Sequence, residues 1–200
     1  MPSPFRLARS AADLVLETER ASAHLPAPSQ APAVLDYFRR NQEHLAPWSP
    51  PLPPDFLTEA YWQRRLADNR AEYEADRSLR LFLRPRDPGA SELVIGSLSF
   101  TQFVRGPFQA CYLGYGMDAE YQGRGLMREA LQRASQHVFD ELGLHRIQAN
   151  HRPENQRSAR LLRRLGFEVE GYARDYLFIG GAWRDHVLTS LVHPDAPCPG

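Results

Sequence analysis

Apolar positions recur along this chain with two periods, and the alternation between those periods outlines the elements. Leu14–Arg20 reads as a first strand. Pro26, Pro28 and Pro32 break the chain before a helix over Ala33–His44, and Pro47, Pro50, Pro51, Pro53 and Pro54 make a stiff connector around Trp48. Asp55 is placed as the N-cap of a helix running to Asp76. Ser78–Arg84, Glu92–Val104 and Phe108–Met117 are rich in Leu, Val, Ile and Phe. They are separated by Asp87-Pro88-Gly89 and Arg105-Gly106-Pro107, which predicts an antiparallel meander. Met127, Ala130, Leu131, Ala134, Val138 and Leu142 then follow at spacings of three and four, the mark of an amphipathic helix, with Gly143 as its C′ residue. A short strand over Leu144–Asn150 leads to a helix opened by Pro153 and Glu154. That helix places Ser158, Leu161, Leu162 and Leu165 on one face and stops at Gly166. Glu168–Ile179 and Ala182–Val192 flank Gly180-Gly181, a strong hairpin signal because both turn positions can take positive φ. Residues 1–13 are expected to be a flexible lead-in, 14–192 a single domain and 193–200 a disordered tail.

Composition narrows the class. Hydrophobic residues at 42% and charged residues at 24% fit a soluble globular protein of 200 residues, long enough to bury a sizeable core. A formal net charge of zero gives no global field for nucleic acid or an anionic membrane. No lysine occurs, so no side-chain amine is available for catalysis. The two cysteines, Cys111 and Cys198, form neither a disulfide framework nor a metal-ligand spacing; Cys111 is expected in the core. No apolar run is long enough to span a bilayer, and the N-terminus lacks a signal-peptide h-region, so a reducing cytoplasm is the expected compartment.

The most informative stretch is Tyr121-Gln122-Gly123-Arg124-Gly125-Leu126-Met127, which follows an apolar strand and opens the best amphipathic helix. Glycines at a helix start let a ligand approach N–H groups that have no partner within the helix. Those groups, with the positive end of the helix dipole, suit a pyrophosphate.

The pattern Gln122-x-x-Gly125-x-Met127 resembles the acyl-CoA loop of the Gcn5-related N-acetyltransferases (GNAT), Gln/Arg-x-x-Gly-x-Gly/Ala, with Met127 departing at the last position. Asn155-x-x-Ser158-x-x-Leu161-Leu162-x-x-Leu165-Gly166-Phe167 resembles that superfamily's second signature. His44–Trp48, Val104–Gly106, Cys111–Tyr115, Gly123–Met127 and Gly181–Thr189 together look like its RimJ/RimL group of ribosomal-protein N-terminal acetyltransferases. They are closest to the RimJ branch, which acts on an N-terminal alanine. The resemblance covers roughly residues 14–192. It implies an α/β (α+β) acyl-CoA N-acyltransferase fold: a mixed, mostly antiparallel sheet flanked by helices. The strand ending near Met117 and the one starting near Ile147 would splay apart around the pantetheine arm of acetyl-CoA.

It further implies direct attack of an amine on the thioester. Gln122, Gly123, Arg124, Gly125, Leu126 and Met127 would hold the pyrophosphate, and Asn155 the pantetheine arm. The backbone N–H of Met117 or a neighbour would polarise the carbonyl. Many members use a tyrosine as general acid where this chain has Leu162; Ser158, one turn earlier, is the substitute, donating to the CoA sulfur. An α-amine, with a pKa of about 7.7–8.0, is already neutral to roughly a tenth to a third near pH 7, so a modest base suffices. Glu170, Asp175 and His186 are the candidates. The implied partner is a ribosomal protein N-terminus, with ribosome association possible and neither membrane nor specific nucleic-acid binding. Two alternatives stay open: an acetyltransferase for a small amine, antibiotic or peptide toxin, and a CoA-binding ribosome-associated assembly factor with little catalysis. Arg152, Arg157, Arg160, Arg163 and Arg164 are expected to form mainly a solvated helix face, and Trp48 and Trp183 to be packing anchors.

Overall fold

The structure, a computed structural model, describes residues 10, 11, 14–87, 89 and 92–193. Eight strands form one sheet in the order β1-β2-β3-β4-β5-β6-β8-β7. They are β1 (Val15–Glu17), β2 (Ala21–His24), β3 (Leu79–Pro85), β4 (Gly96–Val104), β5 (Ala110–Met117), β6 (Arg146–Gln148), β7 (Glu168–Ile179) and β8 (Ala182–Val192). Every neighbouring pair is antiparallel except β5 and β6, which run parallel. Five helices flank the sheet: α1 (Ala31–Arg40), α2 (Gln42–Leu45), α3 (Glu59–Glu74), α4 (Leu126–Asp140) and α5 (Gln156–Arg164).

The two faces have separate cores. On one, Leu126, Met127, Ala130, Leu131, Ala134 and Val138 of α4 and Leu162 of α5 pack on Leu98 and Phe100 of β4 and Cys111, Leu113 and Met117 of β5. On the other, Val34, Leu35 and Tyr37 of α1 meet Trp62 and Leu66 of α3 over Phe82 of β3. Strand alternation makes this division: residues 111, 113, 115 and 117 face α4 and α5, while 112, 114 and 116 face the opposite side. Burial pushes the Cys111 thiol up to about 12, so it is an inert core group.

The hairpin Glu168–Ile179/Ala182–Val192 falls on its predicted boundaries, with Gly180 at φ 58° and Gly181 at φ 79°. Three elements differ from expectation. The predicted first strand is two short ones, β1 and β2, joined by a turn in which Thr18 N–H donates to the Ala21 carbonyl. The predicted helix Ala33–His44 is two, α1 and α2, separated at Asn41, and Pro32 is inside α1 rather than before it, in the first turn where no N–H is needed. The N-cap of α3 is Thr58, whose hydroxyl accepts from Tyr61 N–H, while Asp55 pairs with Arg64. In the expected lead-in, Ala11 is fully buried and its N–H donates to Glu74. The rest of that lead-in apart from Ser10, Pro88 of the expected turn, Cys198 and the tail beyond His193 lie outside the described residues. Among the described residues no helix is long and apolar enough to cross a membrane.

Candidate active site

β5 and β6 pair over three positions only, Ala110–Arg146, Cys111–Ile147 and Tyr112–Gln148. Beyond them the strands part. β5 continues beside β4, whereas the chain after β6 bonds to β8 through Ala149 N–H to the Thr189 carbonyl and a bridge between His151 and Val187. The result is a gap edged by backbone. Asp118 N–H donates to the Ile95 carbonyl at 2.9 Å. In an antiparallel ladder bonded pairs alternate, so residues 116 and 114 also bond to β4; the N–H of Leu113 closes the Tyr112–Gln148 pairing with β6, and those of Tyr115 and Met117 point into the gap. Met117, the expected carbonyl donor, is thus one of two such groups. Its carbonyl accepts from Gln122 Nε2 at 3.5 Å.

The loop after β5 opens toward that edge. Gly123 (φ 76°) and Gly125 (φ 83°) are left-handed, a conformation a side chain would strain. Gly125 is the N-cap of α4 and offers no capping side chain, leaving the first-turn N–H groups without a partner in the helix. A Cβ at Gly125 would sit 2.9 Å from a guanidinium nitrogen of Arg20, which reaches over from the β1–β2 turn and pairs with Glu129. Arg124 lies over the Tyr121 ring at 5.0 Å. Gln122 Nε2 donates to His44 Nε2 at 2.5 Å. Left-handed glycines, an uncapped helix start and two flanking guanidinium groups fit a pyrophosphate. Leu126 and Met127 are buried, and the Met127 Cε lies 3.3 Å from where a Gly96 Cβ would be, so this departure from the family pattern is a core residue whose backbone alone faces the loop.

The loop is held from below by Asp118, whose side chain is 6% exposed. Its carboxylate accepts from Asn41 Nδ2 at 2.9 Å and Arg40 at 3.0 Å, and from Glu120 N–H at 3.0 Å. Asn41 in turn accepts from Ala119 N–H at 3.0 Å. Burial alone would raise the Asp118 pKa, but these bonds and the Arg40 charge together hold it below the ordinary carboxylate range.

On the α5 side of the gap, Asn155 is the N-cap and its Oδ1 accepts from Ser158 N–H at 3.0 Å. The Ser158 hydroxyl is hydrogen-bonded to the Tyr115 hydroxyl at 2.7 Å. Burial pushes the Tyr115 phenol up to about 12, so it remains protonated at neutral pH. Leu162 packs in the core, 1% exposed. Tyr115 lies in the Cys111–Tyr115 block, but nothing in that apolar strand marked its hydroxyl as a partner of Ser158.

The proton-acceptor candidates separate. Glu170 pairs with Arg146 at 2.6 Å, beside the Ala110–Arg146 pair where β5 and β6 are still joined. The structure does not bring it to Ser158; its bonds to Arg146 and Ser190 hold the carboxyl below its usual range, which weakens it as a base. Asp175 is exposed at a bulge, with φ 47° and its N–H donating to Asp185. His186 is buried, 2% exposed. Its Nδ1 lies 2.9 Å from the Arg184 carbonyl, which can only accept, so Nδ1 carries the proton and Nε2 is the basic atom of the neutral ring. Its ring lies 5.3 Å from that of Tyr176, whose hydroxyl accepts from Asn150 Nδ2 at 3.0 Å. Tyr112, Asn150 and Tyr176 were not foreseen; they converge from three strand regions that no spacing connects.

A strap crosses this side. The segment from His44 to Trp48 is fastened to the loop through Gln122 and to the chain after β6 through Arg152. That guanidinium donates to the Pro47 carbonyl at 2.9 Å and lies 5.3 Å from the Trp48 ring centre. Trp48 is 40% exposed and Trp183 60%, so neither is a core anchor, whereas Arg157, Arg160, Arg163 and Arg164 form an exposed face.

Comparisons with known proteins agree with this geometry. A family model described as an acetyltransferase (GNAT) domain matches residues 24–168. The chain is 43% identical over 180 residues to the [ribosomal protein uS5]-alanine N-acetyltransferase of Escherichia coli (strain K12), spanning 90% of this chain and 91% of that protein. Among solved structures it resembles a ribosomal-protein-S5-alanine acetyltransferase from Vibrio fischeri, with a TM-score of 0.87, 37% identity, and coverage of 92% of this chain and 100% of that one. It also resembles Mycobacterium smegmatis RimJ in complex with CoA-disulfide, with a TM-score of 0.80, 28% identity, and coverage of 88% and 85%.

Proposed function

The chain belongs to the acetyltransferase (GNAT) domain family, and on that premise we propose that it transfers the acetyl group of acetyl-CoA to the N-terminal alanine of ribosomal protein uS5. The observation that carries this reading is the gap between β5 and β6. It is edged by free N–H groups, opens at a glycine-marked helix start, and has the Ser158–Tyr115 hydroxyl pair on one side. Acetyl-CoA supplies an activated acetyl thioester; the chain's own groups do the rest. The first-turn N–H groups of α4, with Gln122, Gly123, Arg124 and Gly125, hold the pyrophosphate. Tyr115 and Met117 offer N–H donors along the pantetheine and toward the carbonyl, preorganised because the sheet already fixes them. Asn155 orients Ser158 through the cap bond, and Ser158 donates to the sulfur as the C–S bond breaks. The amine loses its proton to a modest base or to water, since a large share of an α-amine is neutral near pH 8. The domain occupies residues 14–192, in a soluble cytoplasmic protein that meets its acceptor as a ribosomal protein or on the ribosome.

Intact-mass analysis tests this with acetyl-CoA and two peptides, the uS5 N-terminal sequence beginning with alanine and a peptide with a blocked N-terminus and an internal lysine. The expected result is one added acetyl group on the first and none on the second. Preference for lysine overturns the reading. Transfer to a small amine but to neither peptide favours the small-molecule alternative, and sedimentation with ribosomal subunits without thiol release favours an assembly factor.

A further inference from the structure

The face of β5 opposite Ser158 carries chemistry that the cofactor does not use. Helices α4 and α5 cover the other face, so an acceptor reaches the gap from this one. Here three alternate residues of β5 lie in a row, Tyr112, Gly114 and Gly116. A Cβ added at Gly114 meets nothing within 4 Å, and the residue is exposed, so the strand face is open there. At Gly116 the space is closed by the Tyr37 hydroxyl, 3.1 Å from the same kind of added Cβ. The open space is therefore local to residue 114.

Beside it, Tyr176 comes in from β7. Its oxygen accepts one bond, from Asn150 Nδ2 at 3.0 Å. Asn150 is itself fixed, since its Oδ1 accepts from Thr189 N–H at 3.3 Å. The Tyr176 O–H is engaged with the Tyr112 phenol, so what remains for an incoming donor is the oxygen's second lone pair. Burial, and after it the neighbouring Tyr112 phenol, raise the Tyr176 pKa, which keeps the group a neutral phenol whose oxygen is an acceptor without a full charge. A neutral amine needs such a partner: it donates one N–H to the oxygen and keeps its own lone pair free for attack.

We propose that Tyr176, held by Asn150, binds the N-terminal amine of the acceptor, and that the space over Gly114 takes the acceptor's first side chain. The inference rests on the N-terminal acetyltransferase reading and adds the residues that select the acceptor. It also gives the Tyr112–Asn150–Tyr176 cluster a role at the point where β5 and β6 part.

Steady-state kinetics with the alanine-initiated uS5 peptide tests it. Tyr176→Phe removes the oxygen and keeps the ring. The expected result is a rise of roughly tenfold in the KM for peptide, the effect of one lost hydrogen bond to an amine, with the KM for acetyl-CoA unchanged. Gly114→Val fills the space and is expected to lower kcat/KM for the alanine peptide more than for its glycine-initiated counterpart. Equal KM values for wild type and Tyr176→Phe, or equal losses on both peptides for Gly114→Val, overturn the inference while wild-type turnover leaves the proposed function standing. If wild type does not turn over, peptide binding to the CoA-saturated protein is measured instead: binding weakened by Tyr176→Phe supports the amine site alone, and no binding overturns both.

Discussion

The two sides of the gap are built from different materials. The proposed cofactor side is backbone: N–H groups at 115 and 117, two left-handed glycines and an uncapped helix start, all within one short run of chain. The proposed acceptor side is side chains: Tyr112, Asn150, Tyr176, and the Trp48–Arg152 strap, brought together from four distant segments. A backbone site is tied to the fold and tolerates change in most side chains around it. A side-chain site can be altered one residue at a time without disturbing the sheet. One scaffold can thus keep its donor while its acceptor varies.

Three substitutions sharpen that contrast. Asp118→Ala strikes the support of the cofactor loop and is expected to cost about 3 kcal/mol in urea unfolding, because Asn41 and Arg40 lose a buried partner. Since the native carboxyl titrates below its ordinary range, this contribution is complete above a pH of about 4 and is lost as pH falls through the lower native value. A change under about 0.5 kcal/mol would mean the loop stands without it. Ser158→Ala acts on chemistry alone and is expected to lower kcat roughly 100-fold with both KM values preserved; an unchanged kcat assigns the proton to another donor. Gly125→Ala strains the left-handed cap and displaces Arg20. It is expected to raise the KM for acetyl-CoA about tenfold and leave that for peptide alone, in line with about 1–2 kcal/mol of backbone strain. A larger effect on peptide than on acetyl-CoA would break the division between the two sides.

The same contrast explains what was legible in the sequence. Gly180-Gly181 fixes a turn through local φ preferences, and the hairpin followed on its predicted boundaries. Gly123 and Gly125 marked the left-handed entry to α4 for the same reason. β2 escaped notice because Ala21-Ser22-Ala23-His24 has little strand propensity and exists by pairing with β1 and β3 on both edges. Asp55 was a plausible cap by type, but the Tyr61 N–H is taken by the Thr58 hydroxyl, which the pattern did not single out. Glu170 looked available as a base until Arg146, 24 residues earlier, took it. Tyr115 and Tyr176 are ordinary strand tyrosines until the fold sets Ser158 against one and Asn150 against the other.

The three-residue seam between β5 and β6 also orders the assembly of the molecule. β6 touches β5 over only Arg146–Gln148, and its other edge is completed by Ser190, Leu191 and Val192. During synthesis, a chain released as far as α5 holds the whole pyrophosphate loop but only an unbraced second wall for the gap. That wall gains its other partner strand when the final hairpin folds back, more than 40 residues later in sequence. Acetyl-donor binding at the loop can therefore precede a finished slot on the growing chain, while catalytic competence arrives with the last strand. A truncation that removes β8 would leave most of the signature residues in place and still be inert.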